Sequence, residues 1–306
     1  MTDTRRFPIP LWLLLLIGIV AISFSSIFIR WSDAPVSVIA MYRLLLTNLL
    51  MLPFLGRNWP EIRSISARDG LRLALSGLML GLHFLFWMGS LRATTVASST
   101  AIMALEPILV MLGSFWLYRH RTHPLAAAGM MIAIAGAALI GWGDFGLSVQ
   151  ALKGDLLSFL GTVAVALHML IGKSLRSRIN AFVYSFTVFA SAAGVLAVYN
   201  ASAGYSFTAY APKEWGIFLM LAVVPTLFGH YLFNWLLQYM NATSVSMTVL
   251  GEPLGAGLLA YLLLNEAVTG LQAAAAGLLL FGVWLFIRAE RKEPTPPLAE
   301  EPGRAA

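Results

Sequence analysis

Ten apolar runs constrain this chain more than any other feature. They cover about residues 11–29, 36–55, 71–91, 97–117, 125–142, 154–172, 181–200, 215–239, 243–264 and 271–288, with short polar or Gly/Pro breaks between them. About 20 apolar residues is the length a helix needs to cross a bilayer. In lipid the backbone finds no water, and a helix satisfies its hydrogen bonds within one segment. The expectation is an all-α integral membrane protein of ten transmembrane helices. The connections leave no room for a soluble domain; the longest polar one is 56–70 and the longest mixed one 200–214. Charged residues are 11% of the 306, against about 25% in a soluble domain. There is no Cys, which excludes disulfide and thiolate chemistry.

The first run admits a second reading, because Arg5 and Arg6 precede it as basic residues precede a secretory signal. Its apolar stretch reaches from about Phe7 to Ile29, beyond the roughly 7–15 residues of a signal core. It is read as a retained first helix. The end of the chain, 291–306, is charged and Pro-rich and is expected to be a disordered cytoplasmic tail.

Lys and Arg divide unequally between alternate connections. Fifteen fall on the side of the N-terminus: Arg5, Arg6, Arg57, Arg63, Arg68, Arg72, Arg119, Arg121, Lys173, Arg176, Arg178, Arg288, Arg291, Lys292 and Arg304. Four fall on the other side, Arg30, Arg92, Lys153 and Lys213, and Arg43 lies inside the second run. By the positive-inside rule both termini are cytoplasmic, in a multi-pass plasma or inner membrane protein. A miscount of one span would scramble this alternation. The net charge of +6 is scattered over loops and makes no patch for nucleic acid.

The two halves look alike. Set at an offset of 146, Glu106 meets Glu252, Pro107 meets Pro253, Ser98 meets Ser244, Thr100 meets Ser246 and Gly136 meets Gly282. One residue further on, His83 meets His230. Spans one to five (1–150) and six to ten (151–290) are therefore read as repeats. Five is odd, so the halves cross in opposite senses and form an inverted-topology repeat, a design of secondary transporters.

The ten-span pattern, "YRLLLTNLL" at 42–50, "ASSTAIMALEPILVMLGSFWLYRH" at 97–120 and "LGEPLGAGLLAYLLLNEAVTG" at 250–270 resemble the drug/metabolite transporter superfamily, EamA type. The resemblance covers about residues 11–289 and rests on the prolines of spans four and nine, Arg43 and Glu266. It implies export of small amphiphilic metabolites from a central cavity by alternating access. The family's Glu after span four is replaced here by Arg119-His120-Arg121.

Polar residues inside the runs are the site candidates. An ionised Glu at mid-membrane is costly, so Glu106 and Glu252 should face a cavity, pair, or stay protonated. Pro107 and Pro253 cannot donate to the carbonyls of Met103 and Val249. Each Glu is thus expected at a kink, with the prolines as hinges. The functional reading is a substrate or proton site; the plain one is packing.

His83 and His230 can carry protons at physiological pH, or can bond a neighbouring helix's carbonyl. Asn234 lies one turn beyond His230 on the same face and is a candidate for the pathway or for helix–helix bonding. Arg43 is a counter-charge for an anionic substrate group or for Glu106, or else snorkels to headgroups. Tyr42 points about 100° away from it. Trp87, with Phe84, Phe86, Phe228, Tyr231, Phe233 and Trp235, offers a stacking wall for flat substrates or an aromatic belt. His168 reads as interfacial. The Gly77/Gly81 and Gly251/Gly255 pairs permit close helix approach.

No Walker loop, HExxH, GxSxG or spaced ligand set occurs. No cofactor, catalytic residue or metal is expected, and ATP does not drive the protein. The expected partners are a small-molecule solute, membrane lipid and protons. With proton exchange through Glu106, Glu252 or a His the protein is an antiporter; without it, a facilitator. Two rivals remain: a membrane enzyme using the paired Glu and His as acid and base on a lipid-linked substrate, and a sensor or scaffold. The first calls for polar surface loops and the second for a soluble domain, and the chain shows neither feature.

Overall fold

The computed structural model describes residues 10–94, 96–119, 122–141, 148–264 and 270–290. The expectations for the tail 291–306, for Glu266 and His120, and for the charges of Arg5, Arg6, Arg121, Arg291, Lys292 and Arg304 lie outside the described residues. Among the described residues the regular structure is wholly helical. The first helices are α1 (Leu11–Trp31), α2 (Val36–Met51), α3 (Leu55–Arg63) and α4 (Ala67–Ser90). A single 3₁₀ turn, Leu52–Phe54, joins α2 to α3. Then come α5 (Val96–Met103), α6 (Glu106–Tyr118), α7 (Pro124–Gly141), α8 (Val149–Arg176) and α9 (Ala181–Ser202). A π-helical segment, Ala222–Tyr231, connects α10 (Pro212–Leu221) to α11 (Leu232–Leu236). The chain continues through α12 (Ala242–Val249), α13 (Glu252–Leu264) and α14 (Gly270–Glu290).

Among the described residues, eight helices are long and apolar enough to cross a membrane. Two shorter apolar stretches, Pro124–Leu139 and Ala273–Ala289, stand where spans five and ten are expected. Helix starts follow local chemistry. Ser66 accepts from the N–H of Asp69, Ser148 from Ala151, and the Asn180 side chain from Val183, each satisfying a donor the helix leaves open. Arg119 ends α6 in the left-handed region (φ 55°) and returns its N–H to the carbonyl of Phe115.

Lipid tails are as apolar as the helices, so helices associate through close packing rather than through exclusion of water. Small residues provide it. A Cβ on Gly136 would meet Leu279 N at 2.5 Å and Ala275 O at 2.8 Å; one on Gly282 would meet Ala133 N at 2.3 Å and Gly129 O at 2.6 Å. Helices α7 and α14 therefore touch backbone to backbone. Gly77 lies against Ser191 and Val188 of α9, and Gly255 against Ser23 of α1, so both glycine pairs serve packing. The remaining contacts place α1 against the π segment and α13, α8 against α4 and α6, and α2 against α9.

Candidate functional site

The fourth and ninth apolar runs are broken helices. The break falls at the same offset in both: α5 ends at 103 and α12 at 249, and α6 opens at 106 and α13 at 252. The break is a tightened turn. Leu105 N bonds Ile102 O at 3.0 Å and Ile108 N bonds Leu105 O at 3.1 Å; Leu250 N bonds Met247 O and Gly251 N bonds Thr248 O. It lies ahead of the expected kink, because the turn closes before the proline removes its donor. Glu106 and Glu252 accordingly open the second half-helices, with Pro107 and Pro253 next. Helix starts carry partial positive charge, which favours a carboxylate there.

Both breaks border one cavity. Its polar and ring-bearing walls include Ser25, His83, Trp87, Glu106, His168, His230, Asn234 and Glu252; Ile22, Met103, Val165, Phe233 and Val249 are among the apolar ones. These come from α1, α4, α5, α6, α8, the π segment, α11, α12 and α13, so both halves build it. The space open to the centre of a water molecule is about 50 Å³, enough for roughly three to five waters. A narrower crevice beside it is lined by Thr100, Pro107, Ser246 and Pro253 together with both glutamates. Glu106 is 2% exposed, and its Oε1 has no hydrogen-bond partner. Glu252 is half-buried.

Arg43 does not snorkel. It is fully buried behind the cavity wall. Its Nε donates to Thr226 Oγ1 (3.0 Å), its Nη1 donates to Ser25 Oγ (3.2 Å), and its guanidinium lies 4.2 Å from the Phe84 ring centroid. Thr226 sits in the π segment, where its hydroxyl donates to Leu221 O (2.7 Å), and Thr47 of α2 holds Ala222 O from outside (3.1 Å). Pro225 lies inside this segment; its missing N–H is one cause of an irregular ladder.

The histidines have distinct settings. His83 is buried, stacks on Trp87 (5.9 Å, 5° between planes) and places Nδ1 3.0 Å from Gly161 O. A carbonyl only accepts, so Nδ1 carries the proton and Nε2 is the free acceptor of the neutral ring. His230 is half-buried and meets Phe84 edge to face at 5.1 Å. His168 is 4% exposed and lines the cavity, which corrects its interfacial reading. Its Nδ1 lies 2.9 Å from Ser76 Oγ, which in turn is 2.9 Å from Tyr184 Oη. Asn234 lines the cavity and bonds Ser185 Oγ at 3.3 Å.

Tyr42 is not brought to the cavity. It bonds the carbonyl of Phe207 and stacks on Phe218 (5.2 Å, 10°), because its position on α2 faces α10. The aromatic wall divides: Trp87 and Phe233 line the cavity, Phe84 is buried behind it, and Phe228 is exposed. Sequence reasoning missed His168, Ser25 and Thr226. On α8 His168 lies well off the face that Asp155, Ser158 and Thr162 share, so helical spacing gave no signal for it.

The EamA-like transporter family profile matches residues 10–142 and again 152–288. An uncharacterized transporter of Archaeoglobus fulgidus is 25% identical over 90% of this chain and 98% of its own length. The uncharacterized transporters YxxF and YetK of Bacillus subtilis are 23% and 24% identical, over 65% and 87% of this chain and 66% and 83% of theirs. A solved structure described as "Crystal structure of protein" superposes with a TM-score of 0.75 at 17% identity. It covers 92% of this chain and 98% of that one, which shows a shared fold. These relatives are named as transporters, not enzymes. With its two profile matches and its membrane-length apolar helices, the chain belongs to the EamA-like transporter family, as a multi-pass membrane transporter.

Proposed function

We propose that this protein is a secondary transporter of ten spans that exports small amphiphilic metabolites by alternating access. Amino acids, related solutes and drugs are the candidate cargo. The observation that carries this reading is the meeting of two matched broken helices at one cavity shared by both halves. Discontinuous helices with termini at a mid-membrane cavity are how such transporters hold polar cargo. Residues 1–150 and 151–290 act as inverted repeats. Support comes from the paired profile matches, the common offset of the helix breaks, and the reciprocal contacts of Gly136 and Gly282. Glu106, Glu252 and the histidines then handle cargo or protons, and the space for a few waters is a closed step of the cycle. The hinge role of Pro107 and Pro253 follows from the same rocking motion.

A counterflow screen in proteoliposomes over amino acids, purines and cationic drugs, with and without a proton gradient, tests this. Saturable accumulation of one class at least about fivefold over empty liposomes is expected. Folded protein that exchanges nothing across the panel sinks the reading. Both termini face the cytoplasm of the plasma or inner membrane, on the charge count above. Tags at either end should stay unlabelled by an impermeant reagent in intact cells, and labelling of either end overturns the orientation.

A further inference from the structure

The cavity lies between two helix pairs. On one side α4 runs along α8, and on the other α1 runs along the π segment. His83, Trp87 and His168 line the cavity from the first pair, and Ser25, His230 and Leu237 from the second. Between the pairs the backbones come close mainly where α8 passes α11. At both ends of the cavity, however, cations of the first pair reach carbonyls of the second.

One end is where α1 and α4 both finish. Arg92 stands there, five residues beyond the cavity residue Trp87. Its Nη2 donates to Ser32 O at 2.7 Å, with Ala34 O at 3.4 Å, in the corner that follows α1. The buried Glu214 of α10 fixes that corner from its own side, accepting from the Ser32 hydroxyl and from Asp33 N–H (3.0 Å). Arg92 itself is exposed, so water competes for it.

The other end is where α8 and α11 both finish. Lys173 Nζ donates to Leu237 O (2.9 Å) and Met240 O (2.8 Å). Arg176 Nε donates to Asn234 O (2.8 Å) and its Nη2 to Gln238 Oε1 (3.0 Å). A helix leaves its last carbonyls unpaired, and its dipole favours a cation beside them. Here the cations come from a different helix, across the cavity. Asn234 and Leu237 line the cavity themselves, so these bonds draw its own wall shut.

We propose that Arg92 and the Lys173–Arg176 pair are the two gates of the cavity, each tying the α4–α8 wall to a carbonyl end of the opposite wall. By the span order the first lies at the outer face and the second at the inner. The assignment rests on the transport reading, in which the walls part at one face at a time. Parting exchanges carbonyl partners for water, which also hydrogen-bonds an ammonium or guanidinium, so a gate releases without leaving a charge unpaired. Meanwhile the other gate holds the walls together as the pivot. Glu214 travels with α1, because it and the corner it grips belong to the same wall.

The test needs no solute. The chain has no Cys, so Val165→Cys places a single thiol on the cavity wall. Right-side-out and inside-out membrane vesicles holding this full chain are treated with a small membrane-impermeant methanethiosulfonate, and modification is followed by mass spectrometry. On that background Arg92→Gln should raise the labelling rate at least about fivefold from the outer face alone, because labelling follows the open population. Lys173→Gln should do the same from the inner face alone. Lys173 is chosen because Arg176 also bonds Ile179 O at the end of its own helix, which its loss would loosen. A variant that labels faster from both faces alike, or no faster than its parent, overturns its gate. Two variants that open the same face overturn the pairing. Reversal of both faces together supports the gates and overturns the orientation instead. A failed counterflow screen would count against the transport reading and leave this accessibility result readable.

Discussion

Arg43→Leu is expected to abolish transport and to destabilise the protein by about 1–3 kcal/mol, the cost of leaving buried hydrogen-bonding groups without a partner. The residue is fully buried, bonds Thr226 and Ser25, and covers the Phe84 ring. Its loss frees the π segment that carries His230. A lowered midpoint of thermal unfolding in detergent reads the stability change. Arg43→Lys keeps the charge but loses the planar fork that reaches two hydroxyls in different helices. It should fold and yet transport at least about tenfold more slowly. Full stability in Arg43→Leu would show that these contacts do not hold the fold together.

Glu252→Gln is expected to eliminate the part of solute flux that an imposed proton gradient drives, while exchange without a gradient persists. The carboxylate lies half-buried at the start of a half-helix, in the cavity that also holds Glu106 and three histidines. Glutamine keeps the volume and the hydrogen-bonding face but cannot take up or release a proton. In proteoliposomes the ratio of flux with and without the gradient should fall to about one. An unchanged ratio would reduce Glu252 to a structural role.

Much of the fold was legible in the chain. Hydropathy marked ten runs, eight of which are membrane-length helices among the described residues, and the Glu-Pro pairs marked the two helix breaks within a residue or two. The breaks came slightly early, because a tightened turn preceded each proline. The pairing of Glu106 with Glu252 and of His83 with His230 was also visible, since a repeat is a property of order along the chain. Rotation about each helix axis was not visible. Tyr42 and Arg43 are neighbours in sequence, yet one bonds Phe207 and the other Thr226. His168 was misread by its distance from Lys173. In a 28-residue helix such as α8, depth says little about which face is buried.

By itself the sequence determined that the protein crosses a membrane as helices and where two of them break. Both follow from apolar length and missing donors, which are local properties. The tertiary structure decided which polar groups share a cavity and that Arg43 is buried against Thr226 and Ser25 rather than turned to lipid. Those outcomes depend on faces of helices far apart in the chain, and close packing of small residues is what presses them together.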